Sequence, residues 1–270
     1  MAGTRRIALL VEYDGAAFAG SQAQHAQRTV QQAVESAIEA FTGETQRVRF
    51  AGRTDAGVHA LGQVVTLDTQ TSHEPGRFRD ALNHFLPEDV AIRAACEATL
   101  DFEPRRHALS RTYRYLIEHG RPRSPLNRRT AWQREGMLDI RSMSEAAASL
   151  PRGERDWAAF AGPLPEGRSA LRTLLRREVK RRGPHRLEVW MEADAFLPHQ
   201  VRRTVGALEA VGAGHMTPAH FGQLIEGPPG GVGPTAPPHG LTLMHVRYAA
   251  GILDWGTVDW DDDEDVPPQR

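Results

Sequence analysis

A chain of 270 residues, 40% hydrophobic and 25% charged, can bury a sizeable core and has the composition of an ordinary globular protein. No apolar run approaches the roughly eighteen residues of a membrane span. A lone cysteine, Cys96, excludes an intramolecular disulfide. Met1 to Arg6 lacks a signal-peptide shape, so a cytoplasmic protein is expected.

The net charge of −1 is unevenly spread. Residues 251–270 carry seven acids and one base, leaving 32 basic and 27 acidic residues before them, a net of +5. Lys180 is the only lysine. Arginine's planar fork suits bidentate phosphate contacts and stacking on bases. Clusters at Arg121 to Arg129, Arg172 to Arg186 and Arg202-Arg203 therefore favour an anionic partner such as RNA, although a GC-rich genome also replaces lysine with arginine.

Arg5 to Tyr13 alternates and is rich in Ile, Leu and Val, which predicts a strand. Asp14-Gly15 turns it into an exposed loop reaching Arg28. Thr29 caps a helix with Val30, Val34, Ala37, Ile38 and Phe41 on one face, ended by Gly43. A strand is expected over Arg47 to Ala51 and another over Gln63 to Asp68. Between them, Gly52, Gly57 and Gly62 surround Arg53, Thr54, Asp55 and His59. Pro75 opens a helix with Phe78, Leu82, Phe85 and Leu86 as its stripe, and Val90 to Ala98 is a strand. This β-α-β-β-α-β order is the split βαβ arrangement.

The second half repeats it. Arg111 to Ile117 alternates as a strand, and 119–136 is a polar, arginine-rich excursion. Helices are expected over Asp139 to Leu150, Pro198 to Val211 and Pro218 to Ile225. Leu171 to Arg181 and Arg186 to Ala193 form a hairpin, and Leu241 to Tyr248 the last strand. The fold expected is α+β: two pseudo-symmetric β-α-β-β-α-β (ferredoxin-like) subdomains, 1–105 and 106–250, with antiparallel sheets side by side. A cleft between them is the default site. Residues 251–270 read as a mobile acidic tail.

Few constellations carry chemistry. No His-Glu-x-x-His or cysteine pair supports a metal, and no metal site is expected. Gly227 to Gly233 lacks the Lys-Ser/Thr and helix of a P-loop and reads as a connector. A Gly-x-Ser-x-Gly elbow and a dinucleotide fingerprint are both missing. What remains is Asp55, either a turn-capping acid or a reactive carboxylate, with Tyr113 and Arg202. Tyr113 and Tyr115 project to one face of their strand, Thr112 and Arg114 to the other; an in-facing tyrosine is either core with its hydroxyl tied off or part of a site. Arg202, on a helix, either snorkels to solvent or turns inward to keep a carboxylate ionised.

Taken together, these residues resemble a known family. Phe50-Ala51-Gly52-Arg53-Thr54-Asp55-Ala56-Gly57-Val58-His59-Ala60 is similar to the catalytic motif of the TruA-type tRNA pseudouridine synthases. Further segments resemble that family, in its order along the chain: Tyr13-Asp14-Gly15 with Phe18, Gly20, Gln22 and Thr29-Val30-Gln31; Phe102, Arg105 and Ala108 before Arg111 to Tyr115; Asp156 to Phe160 with Arg172-Thr173; Phe196-Leu197 with Val201-Arg202 and Val205-Gly206; and Ala236 to Leu241. The likeness spans about residues 5 to 248.

The resemblance implies a cofactor-independent isomerase that converts uridines 38, 39 and 40 of the tRNA anticodon stem-loop to pseudouridine, working as a homodimer without a membrane. It implies Asp55 as nucleophile and Tyr113 as the residue against the target uracil and its base. Arg202 is implied as the aspartate's partner and Arg53 as an aid to extruding the nucleotide. Arg105 and Arg111 are carried over as substrate-binding residues. Ser21 departs from the usual tryptophan, and Gln200-Val201-Arg202-Arg203 from Met-Val-Arg-Asn. Two rivals stand beside this reading. One is a tRNA-binding protein without catalysis; the other is an unrelated hydrolase using Asp55, which would release a base or cut the chain.

Overall fold

A computed structural model of the chain describes residues 3–256. Residues 257–270, most of the acidic tail expected to be mobile, lie outside the described residues. The chain divides into two compact units, one from Met1–Leu109 and Leu243–Arg270, the other from Ser110–Thr242.

In the first unit the strands are β1 (Arg5–Tyr13), β2 (Arg49–Phe50), β3 (His59–Thr69) and β4 (Val90–Ala98). The helices are α1 (Val30–Thr42) and α2 (Pro75–Phe85). The sheet order is β4-β1-β3-β10, with β2 on β3 and β10 the last strand of the chain (Leu241–Arg247). β1 is antiparallel to both neighbours, with Leu9 opposite Val65 on one side and Ala95 on the other. As a central strand it is covered on both faces: Ile7 to Val11 are all fully buried, a continuous apolar run rather than the expected alternation. Arg6 enters this core because its guanidinium reaches the Phe102 carbonyl at 2.7 Å and Asp68 at 2.6 Å.

The local signals set the helix limits. Thr29 and Gln32 form a reciprocal capping box at the start of α1, and the Gly43 amide closes it on the Glu39 carbonyl. Phe41 meets Phe78 of α2 edge-on at 5.3 Å. Phe85, expected on the buried stripe of α2, is instead 46% exposed at the helix's last residue. The strand expected from Arg47 is only Arg49–Phe50, and the one expected from Gln63 starts at His59. A register shift between Val11 and Tyr13 lets β1 pair on to Ala60.

The second unit holds β5 (Ser110–His119), β6 (Trp132–Arg134), β7 (Gly153–Asp156), β8 (Leu171–Arg181) and β9 (Arg186–Ala193). Its helices are α3 (Ile140–Ser149), α4 (Gln200–Gly212) and α5 (Pro218–Gln223). The order is β5-β9-β8-β7, antiparallel throughout, with β6 running parallel to β5. β6 and β7 escape the sequence reading. All four residues of β7 are exposed and β6 has three, so neither carries an apolar period. α4 begins at Gln200 rather than Pro198 because His199 takes a left-handed φ of 61°, which interrupts the helix. Trp157, Phe160, Trp190 and Phe221 are buried at the centre of this unit.

Candidate active site

The Asp55 loop leaves β2 and enters β3 under close restraint. The Ala51 amide bonds the Val64 carbonyl at 2.8 Å, and the Gln63 side-chain amide donates to the Gly52 carbonyl at 2.9 Å. The Thr54 hydroxyl sits 2.8 Å from that of Tyr13, and its amide donates to Ser21 Oγ at 2.9 Å. Beyond Asp55, the Val58 amide returns to the Asp55 carbonyl at 3.1 Å and the Gly57 amide reaches Phe18 at 3.3 Å. Thr54 is buried, Asp55 is half-buried and Arg53 is exposed. The loop thus offers a carboxylate at the surface from a backbone fixed on both sides.

His59, four residues on, is nearly buried. Its Nδ1 lies 3.1 Å from the Gly15 amide and 3.0 Å from the Asp14 carboxylate, which ties the turn after β1 to the start of β3. Burial pushes the Tyr13 phenol up to about 12, against the opposing hydrogen bonds to Thr54 and Gln63. Tyr13 therefore stays a neutral hydroxyl able to bond Thr54. Arg105 is exposed, on the segment after β4.

The other residues singled out from sequence belong to the second unit. Tyr113 faces Met191 across the β5–β9 pair and is 8% exposed, its ring edge-on to Phe196 at 5.3 Å. Arg111 is buried and donates to the Asp194 carbonyl at 2.7 Å, a bond that holds β5 to the end of β9.

Arg202 lies in the first turn of α4, half-buried. Its Nε donates to the Ala236 carbonyl at 2.9 Å, and the Ala236 amide returns to the Arg202 carbonyl at 3.0 Å. The strap bearing Ala236 lies against α4 at Gly206, where a Cβ would sit 2.0 Å from the Pro234 carbonyl oxygen. Tyr115 bonds the next carbonyl, Pro237, at 2.7 Å. Burial pushes its phenol far above the usual range, opposed by the positive charge of Arg202. A strand, a helix and a strap thus converge to aim one guanidinium.

Ser21, Gln63 and the Tyr13 hydroxyl support the loop through contacts that the sequence pattern does not mark. Their bonds to the Asp55 loop join residues 33, 11 and 41 positions apart, and no periodic pattern marks such contacts. Among the described residues, no group of three or more His, Cys, Asp or Glu side chains is placed to hold a metal ion. Among them, too, no helix is long and apolar enough to cross a membrane.

Comparison with known proteins adds chemistry to this geometry. The family described as tRNA pseudouridine synthase matches residues 9–105 and 147–249. The tRNA pseudouridine synthase A of Chloroflexus aurantiacus is 45% identical over 258 residues, 93% of this chain and 91% of that protein. The enzyme of the same name from Geobacter sulfurreducens is 43% identical, covering 90% of this chain and all of its own. That from Methylobacterium nodulans is 44% identical over 92% of this chain and 98% of its own.

Proposed function

Because the chain belongs to the tRNA pseudouridine synthase family, we propose that the Asp55 loop is where a tRNA uridine is isomerised. The enzyme is an isomerase acting on tRNA. The reaction breaks the bond from ribose C1′ to uracil N1, turns the base, and forms a bond from C1′ to C5. C5 loses a proton and N1 gains one, so the mass is unchanged and no redox partner is needed.

Asp55 is the nucleophile in this reading. A carboxylate suits the task because it forms a covalent adduct and still leaves readily. It must stay ionised, and Arg202 is the proposed cation for that purpose. Tyr113 is the proposed platform for the uracil and acceptor of the C5 proton. A base stacked in an RNA stem has to be flipped out to react, and Arg53 helps to extrude it. Arg105 and Arg111 are proposed contacts to the RNA. The target is the anticodon arm, at positions 38, 39 and 40, and the enzyme works as a cytoplasmic homodimer.

One observation carries the reading: a half-buried carboxylate stands on a loop whose backbone is tied before and after it. Preorganisation of this kind makes a reactive group effective. The test is position-resolved pseudouridine mapping on unmodified tRNA transcripts, with wild type and Asp55→Asn. Conversion at 38 to 40 by wild type alone supports the assignment. Conversion at other positions overturns the anticodon target, and turnover by Asp55→Asn removes Asp55 as nucleophile. Sedimentation of the free enzyme reads the dimer directly.

A further inference from the structure

We propose that Ser21 is a positioning residue for Asp55: it grips both sides of Thr54 and thereby fixes the backbone from which the reactive carboxylate projects. This rests on the reading of Asp55 as nucleophile.

The geometry is specific. Ser21 Oγ accepts the Thr54 amide at 2.9 Å, and the Ser21 amide donates to the Thr54 carbonyl at 3.1 Å. Each peptide group is a rigid plane. The Thr54 amide belongs to the plane joining Arg53 to Thr54, and the Thr54 carbonyl to the plane joining Thr54 to Asp55. A single residue therefore holds both planes, and with them the two backbone torsions of Thr54. The second plane contains the Asp55 nitrogen, so movement at Ser21 is passed to Asp55 with one fewer free joint.

Ser21 is itself held in place by its neighbours. It is fully buried, its carbonyl accepts the Gln31 amide of α1 at 3.0 Å, and the Gly20 carbonyl accepts the Val30 amide at 3.3 Å. The grip is thus mounted on the capped end of a helix. Close approach requires the glycine before it: Gly20 adopts a φ of 108°, and a Cβ there would lie 2.9 Å from the Thr54 carbonyl oxygen.

The side chain matters as well as the backbone. The Thr54 amide is a donor only, and the Ser21 hydroxyl oxygen is its acceptor. Without it the amide stays buried and unpaired, or the loop shifts to reach water.

The experiment is steady-state kinetics of pseudouridine formation on a tRNA transcript with wild type, Ser21→Ala, Ser21→Thr and Asp55→Asn. Ser21→Ala is expected to lower kcat about tenfold, with KM for tRNA held within about twofold, because misplacement acts on the reacting geometry more than on RNA binding. Ser21→Thr retains the acceptor oxygen and is expected to keep kcat within about threefold of wild type. A purely structural role would lower the melting midpoint and leave kcat of the folded variant unchanged.

An unchanged kcat in Ser21→Ala, or equal losses in the alanine and threonine variants, overturns the proposal while Asp55→Asn stays inactive. Turnover by Asp55→Asn marks failure of the underlying reading instead. If Ser21→Ala does not fold, amide exchange in wild type decides. A Thr54 amide protected as strongly as those of β3 supports the grip, and one exchanging like an open loop overturns it.

Discussion

The hydroxyls of Tyr13 and Thr54 lie 2.8 Å apart, one on the last residue of β1 and the other on the residue before Asp55. Both side chains are buried, so the bond forms away from water. It anchors the Asp55 loop to β1, a strand covered on both faces.

The stability of the protein is expected to fall in alkali through Tyr13. Its phenol titrates near 12 when folded and near 10 when unfolded, so the unfolded chain loses its proton first. The protonated form favours folding below about pH 10, and that contribution is lost between about 10 and 12. At 1.36 kcal/mol per pH unit it amounts to about 2 to 3 kcal/mol. Tyr13→Phe is expected to flatten this limb, leaving the part due to Tyr115, and to cost about 1 to 2 kcal/mol at neutral pH. Urea denaturation at pH 7, 10 and 11 measures both.

Acid sensitivity is expected to involve Asp68. The Arg6 guanidinium, bonded to it at 2.6 and 2.9 Å, holds its carboxyl below the usual range, and Arg49 adds to the effect. A depressed folded value means the stabilisation is present above about pH 4 and is lost as the carboxylate protonates below it. Asp68→Asn is expected to lose about 1.5 to 3 kcal/mol at pH 7 and to show a shallower decline towards pH 3. Urea midpoints at the two pH values give the answer, and an unchanged acid limb refutes it.

Tyr113→Phe preserves the ring against Phe196 and removes only the hydroxyl. Turnover is expected to fall about a hundredfold, as for loss of a general base, with tRNA affinity nearly unchanged. Single-turnover kinetics beside a filter-binding assay separates the two. A variant that loses binding and folding together would assign Tyr113 to the core.

Gly206→Ala puts a methyl group 2.0 Å from the Pro234 carbonyl, backbone against backbone, so the strap must move off α4. A loss of about 1 to 3 kcal/mol is expected, as for other overpacked sites. Turnover is expected to drop beyond what the unfolded fraction explains, because Ala236 loses its hold on Arg202. Kinetics well below the melting temperature test that second part.

Much of the architecture is legible in the sequence. Thr29 and Gly43 bounded α1, and the β8–β9 hairpin appeared with both its strand limits, because capping and hydrophobic period act within a few residues. The run from Phe50 to Ala60 likewise singles out the Asp55 loop as the candidate site, since its residue types and spacing are local properties. Tertiary structure alone decided that β1 is covered on both faces, that the exposed β7 is a strand, and that Arg111 spends a hydrogen bond on Asp194. It also decided that Ser21 holds Thr54. These depend on groups 33 or more residues apart, or on a neighbouring strand that supplies partners to a segment with no apolar signal of its own. Local chemistry names the candidates; only the folded chain brings in the distant donors and acceptors that hold them still.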